Sequence, residues 1–189
     1  MRWDALFNDI ESQLAEADRL ALDAEINERT RAELVSLSLE DRLRASLGYR
    51  IGVHLLCGES ARGELTHAGA DALVLDEDPY QVLVPYAAVA RYVGLGRHAQ
   101  AESSSVRRSI GLAHSLRGLA RDRTELAVTI GGVEGSVHLA GVIDRVGRDY
   151  IDLAVVMPGE VRRSQGVSQV SAIPFAGLAM IRSRKVGGL

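Results

Sequence analysis

One cysteine, four prolines and an aromatic content of 4% leave this 189-residue chain short of several kinds of chemistry. With Cys57 alone, no intrachain disulfide can form and no cluster of thiolates can hold a metal. The residue closes the apolar run Val53-His54-Leu55-Leu56-Cys57, where a buried, inert thiol is expected. Scarce aromatics argue against a base-stacking surface or an aromatic cofactor cage. A formal net charge of −3 excludes a strong whole-protein field for nucleic acid or acidic lipid. No stretch approaches the roughly 18 apolar residues that a membrane span needs. Met1-Arg2-Trp3-Asp4 opens the chain without an apolar segment behind it, so no signal peptide is expected and the cytoplasm is the expected compartment.

The first third has no Pro and no Gly between Trp3 and Leu34, and is rich in Ala, Leu, Glu and Arg, all good helix formers. Apolar residues at Trp3, Leu6, Phe7, Ile10, Leu14, Ala17 and Ala21 recur at helical spacing, and acids outnumber bases. A lone helix cannot bury such a stripe. Two arrangements stay open: the helix lies across the rest of the chain, or pairs with a helix of another chain. Ser38-Leu39-Glu40-Asp41 then reads as an N-cap with acids in the first turn, opening a short second helix that ends near Gly48.

The remainder reads as the same pattern twice. The first copy runs through Leu43-Arg44-Ala45, Val53-His54-Leu55, Gly63-Glu64-Leu65, Gly69-Ala70-Asp71-Ala72-Leu73-Val74-Leu75 and Val84-Pro85-Tyr86-Ala87-Ala88-Val89. The second runs through Leu116-Arg117-Gly118, Leu126-Ala127-Val128, Gly141-Val142-Ile143, Gly147-Arg148-Asp149-Tyr150-Ile151-Asp152-Leu153 and Ile173-Pro174-Phe175-Ala176-Gly177-Leu178. Alternation in these segments predicts strands with one buried face. Gly69 and Gly147 open turns, Asp71 and Asp149 are turn formers, and Pro85 and Pro174 end strands.

This succession resembles the Sm-like fold, in which a helix precedes a five-stranded bent barrel; an SH3-like or PRC-type barrel is the alternative. The expected class is therefore α+β: a long N-terminal helix followed by two tandem small bent five-stranded β-barrels, Sm-like or SH3-like, each led by a short helix. Residues 1–37 would form the acidic amphipathic helix and 38–96 the first repeat. A basic linker with the start of a helix would occupy 97–112, and the second repeat 113–185. The opening Met1-Arg2-Trp3-Asp4-Ala5-Leu6-Phe7 also resembles uncharacterised actinobacterial proteins, a likeness that implies no activity. An Arg-for-Lys bias, with Lys185 the one lysine, fits a GC-rich bacterial genome.

The Sm-like resemblance implies RNA binding through an Asn after the third-loop Asp and an Arg-Gly pair in the fourth loop. At those places stand Ala72 and Tyr150, then Pro85-Tyr86 and Pro174-Phe175. Ala cannot hydrogen-bond a base edge and Tyr can only stack, so the RNA site does not carry over. A separate basic stretch spans Arg97, His98, Arg107, Arg108, His114, Arg117, Arg121 and Arg123, against Glu102 and Asp122. Ser103-Ser104-Ser105 is expected to cap a helix here, with Val106, Ile110, Ala113, Leu116, Leu119 and Ala120 on one face. Its arginines either track a phosphate backbone, form the solvated side of the second repeat's lead helix, or face the acidic N-terminal helix. The closing patch Arg182-Ser183-Arg184-Lys185 reads as a solvated tail.

No metal-ligand spacing links His54, His67, His98, His114 and His138. Neither Gly94-Leu95-Gly96 nor Gly131-Gly132-Val133-Glu134-Gly135 joins a strand to a helix as a phosphate loop must, and the latter reads as a hairpin turn. No Ser/His/Asp set has supporting context, so no enzyme, cofactor or metal is expected. The expectation is a non-catalytic interaction or scaffold protein that associates with itself or another protein, with Trp3, Phe7, Ile10 and Leu14 as contacts. The alternative is a nucleic-acid binder using Arg107, Arg108, Arg117, Arg121 and Arg123. A small-molecule sensor ranks below both, because barrels this small are filled by their own side chains.

Overall fold

Alternating burial along β1 (Arg50–Leu55), β2 (Ser60–Ala68) and β8 (Tyr150–Val155) marks strands with one covered face, and all the strands from Arg50 onward join in one antiparallel sheet. The computed structural model describes residues 37–96, 98–99, 111–132, 135–155 and 169–185, together with 16, 19–20, 22–25, 28 and 35. Helix α1 (Leu39–Ala45) leads into β1 (Arg50–Leu55), β2 (Ser60–Ala68), β3 (Ala72–Glu77) and β4 (Tyr80–Pro85). A 3-10 turn (Tyr86–Ala88) joins β4 to β5 (Val89–Val93). Helix α2 (Leu112–Arg121) precedes β6 (Glu125–Gly132), β7 (Gly135–Val146), β8 (Tyr150–Val155) and β9 (Gln169–Pro174). A second 3-10 turn (Phe175–Gly177) then leads to β10 (Leu178–Arg184).

Residues Met1–Ser38 form one unit and Leu39–Leu189 another. Within the first, the described positions from Glu16 to Val35 have helical backbone, and Leu20, Leu22 and Val35 are exposed. Trp3, Phe7, Ile10 and Leu14 lie outside the described residues.

The second unit is a ten-stranded sheet in the order β5-β1-β2-β3-β4-β10-β6-β7-β8-β9. This overturns the expected long N-terminal helix followed by two five-stranded barrels. The described molecule is mostly a single sheet with short helical segments, and the amphipathic-helix and Sm-like tandem-repeat descriptions do not fit it. The physical reason lies in β4 and β10. Alternation shows which face of a strand is buried, but not which strand lies beside it. Here β10 pairs with β6 on one side and with β4 on the other, with Ile181 opposite both Val128 and Leu83.

Two apolar clusters flank that joint, and each draws on both sets of strands. Leu43 of α1 packs with Ile51, Leu65, Leu73, Val82 and Val84, and β10 adds Ala179 and Met180. Leu112 and Leu116 of α2 pack with Leu126, Ile143, Ile151, Leu153 and Ile181, and the first strands add Ala72 and Leu83. Because β10 is covered on both faces, Leu178-Ala179-Met180-Ile181 is buried without a break. Burying Met180 completely contributes about 1.5–3 kcal/mol, and the cluster around it includes Val82 and Val84 of β4.

Candidate interaction edges

In an open sheet the outermost strands carry backbone donors and acceptors that no neighbouring strand uses. Among the described residues those strands are β5 and β9. The β4–β10 joint shows how this sheet satisfies an edge when it has a partner. The Tyr86 N–H donates to the Asp71 carbonyl at 2.8 Å, which makes that pair a hydrogen-bonded one in the β3–β4 ladder. Alternation then turns the backbone groups of Gln81 and Leu83 away from β3 and toward β10. Side chains reinforce the joint. Arg182 Nε donates to Glu77 Oε2 at 3.0 Å, and the Lys185 ammonium contacts the Asp76 carboxylate. That hydrogen bond holds the Asp76 carboxyl below the usual carboxylate range and raises the Lys185 ammonium above its ordinary value.

Strand β9 carries the same phase as β4. The Phe175 N–H donates to the Asp149 carbonyl at 2.8 Å, so Val170 and Ala172 turn their N–H and C=O groups to the open side. Pro174 is the next such position, where a missing N–H removes no ladder bond. No residue from Gln169 to Pro174 is charged, and Val170 is 54% exposed. Strand β5 differs. Counted from the strand-ending Pro85 and Pro174, Arg91 of β5 holds the place that the fully buried Met180 holds on β10. Arg91 is exposed, with Nη2 3.5 Å from Nε2 of His54 on the neighbouring strand.

The expected nucleic-acid stripe is described only in part. Arg107 and Arg108 lie outside the described residues. Arg117 and Arg121 share the exposed face of α2 with His114, while Leu112 and Leu116 are buried opposite. Arg121 also pairs with Asp122 at 3.3 Å, and Arg123 follows the helix in the left-handed region at φ 49°. Ser103-Ser104-Ser105 lies outside the described residues; the described helix starts at Leu112, and its first N–H is capped by Asp71. Asp71 is thus more than a turn former.

Elsewhere the chemistry-bearing side chains serve the joint. Ser136 Oγ donates to Glu59 Oε1 at 2.8 Å, and His138 Nε2 lies 3.3 Å from the same oxygen. These contacts tie the β1–β2 turn to β7. His138 Nδ1 lies 3.2 Å from Thr129 Oγ1 and its Nε2 lies 3.4 Å from Ser136 Oγ, so the imidazole is shared among Thr129, Ser136 and Glu59. Cys57 packs on Gly131 beside a cavity of about 380 Å³ lined by Leu56, Ala88, Gly132, Ala176 and Leu178, which offers a ligand no charged side chain. Burial pushes the Tyr92 phenol up to about 12 and the Tyr86 phenol higher still. The Tyr86 hydroxyl donates to the Gly69 carbonyl at 3.0 Å and serves the fold. Among the described residues no group of three His, Cys, Asp or Glu side chains stands close enough to hold a metal ion. No described helix is long and apolar enough to cross a membrane.

No protein-family model and no curated protein sequence matches the chain.

Proposed function

We propose that this protein is a non-catalytic interaction scaffold that associates with further copies of itself by adding strands at the edge of its sheet. One observation carries the reading: the chain already builds its core by joining β4 to β10 edge to edge, and β9 presents the same backbone phase uncharged and open. An edge strand without charged side chains is a template for a further strand. The stripe Trp3, Phe7, Ile10 and Leu14 supplies a second contact in this reading.

The test is mass in solution. Light scattering across a concentration series should give a value above the 20.3 kDa of one chain, at moderate and at raised salt. A single-chain mass at every concentration would overturn the proposal.

The second reading, nucleic-acid binding, rests on the exposed row His114, Arg117 and Arg121 of α2. It is separated from the first by salt, because phosphate contacts weaken steeply as salt rises and apolar or backbone pairing does not.

A further inference from the structure

Building on the self-association reading, we infer that the assembly is a closed two-fold dimer in which β9 pairs antiparallel with β9 of a second copy, centred on Ala172. The argument begins with the alternative that the internal joint suggests. Repeating that joint head to tail would seat β5 of one copy against β9 of the next. Arg91 would then fall where β10 has Met180, a side chain sealed inside an apolar cluster. Burying a guanidinium without a carboxylate partner is costly. The residues of β9 and the flanking Phe175 offer no carboxylate, so an edge strand guarded by an arginine is poorly suited to that seat.

Strand β9 can pair with itself without this penalty. A two-fold axis perpendicular to the sheet reverses strand direction while keeping each face on its own side. Residues that meet must therefore share a face, so the axis passes between one residue and its own copy. Val170 and Ala172 have outward-turned N–H and C=O groups, and Pro174 an outward C=O. With Ala172 opposite Ala172 of the second copy, the two exchange both hydrogen bonds, and each Val170 N–H meets the other copy's Pro174 carbonyl. The proline accepts that bond and returns none, so the contact is held by four backbone hydrogen bonds and the Val170 carbonyl at each end is left to water. The side-chain pairs that result are Ala with Ala, Val with Pro and Ser171 with Ile173, so no like charges oppose one another. Such an isologous contact uses one edge from each copy and closes at two, whereas head-to-tail addition runs on into rings or fibres.

The experiment uses the full chain with Cys57→Ser, which removes the native thiol. Adding Ala172→Cys places two thiols across the axis. Hydrogen-bonded antiparallel pairs stand about 5.5 Å apart at Cα, within the span that a disulfide bridges. Mild oxidation should convert this variant to a covalent dimer, whereas Val93→Cys on β5 should stay uncrosslinked. Ala172→Pro removes an N–H that the internal β8–β9 ladder does not use. It should halve the measured mass while leaving the circular dichroism spectrum unchanged. A dimer that fails to crosslink through Ala172→Cys, or that survives Ala172→Pro, overturns the two-fold and leaves self-association standing. Crosslinking only between a Ser171→Cys chain and a Val93→Cys chain, which face each other in the register of the internal joint, establishes the head-to-tail seat instead. A single-chain mass at all concentrations removes both proposals.

Discussion

Asp71 Oδ1 accepts the backbone N–H of Leu112 at 2.6 Å, so a turn between β2 and β3 caps a helix that begins 41 residues later. Gly111 makes the approach possible. A Cβ there would come within 2.5 Å of the same carboxylate oxygen. The contact ties the N-terminus of α2, and with it the buried Leu112 and Leu116, to the strands on the far side of the β4–β10 joint.

Removing that cap should loosen α2 without dissolving the sheet. Asp71→Ala is expected to cost about 1 kcal/mol, the usual worth of a side-chain helix cap. Gly111→Ala should also destabilise, because its added methyl meets the Asp71 carboxylate. Urea unfolding of the two single variants and the double variant checks this. If Asp71 acts through the cap, the two effects will not add, because Gly111→Ala is harmful only while the carboxylate is present.

Met180 decides whether the joint is a core or merely a seam. Met180→Ala should lower stability by about 2–5 kcal/mol, the range for emptying a fully buried position. The unfolding should stay a single transition, because each cluster draws residues from the strands on both sides of the joint. Two separated transitions in calorimetry would show that the halves fold independently.

Acid should weaken the Asp76–Lys185 corner. The folded Asp76 carboxyl is held below its unfolded value, so the stability it adds is present above that value and is lost as pH falls through the depressed one. Lys185 is raised, so its contribution is present below its unfolded value and fades as pH climbs through the raised one. Lys185→Met should therefore flatten both the acid and the alkaline limbs of a plot of Tm against pH. Both groups are partly open to solvent, which screens the pair, so the change near neutrality should be small.

Phe7→Asp with Ile10→Asp tests the second contact. If the stripe through Trp3, Phe7, Ile10 and Leu14 holds copies together, the double variant should dissociate at higher protein concentration than the parent in light scattering, with the sheet's circular dichroism unchanged. An identical dissociation curve would assign the assembly to the sheet edge alone.

Binding to a pool of single-stranded RNA, followed by fluorescence anisotropy at about 50 and 200 mM salt, separates the scaffold from the nucleic-acid reading. The scaffold reading expects no salt-sensitive rise. A rise at low salt that disappears with Arg117→Glu and Arg121→Glu would place the function on α2 instead.

Much of the strand pattern was legible in the chain. The alternation in Ala72–Leu75 and Tyr150–Leu153, the turn glycines Gly69 and Gly147, and the strand-ending Pro85 and Pro174 all sit in the elements they foretold. One further signal was available: Val82-Leu83-Val84 and Leu178-Ala179-Met180-Ile181 do not alternate, as expected of strands covered on both faces. Those are the strands of the joint, and reading them as ordinary barrel strands led to two separate modules. The capping role of Asp71 left no local trace, because its partner lies far along the chain.

Local chemistry in the sequence determined where strands and turns fall, since alternation, glycine and proline act on neighbouring residues. It also left β9 without charge and put an arginine on β5. Only the tertiary structure decided that β10 lies between β6 and β4, that ten strands make one sheet, and that β5 and β9 are the outermost of the described strands. Strand partnership is a contest among all the edges a chain exposes, settled by the apolar surface that each pairing buries and the hydrogen bonds it completes. That outcome depends on residues far apart in sequence, which no window along the chain contains.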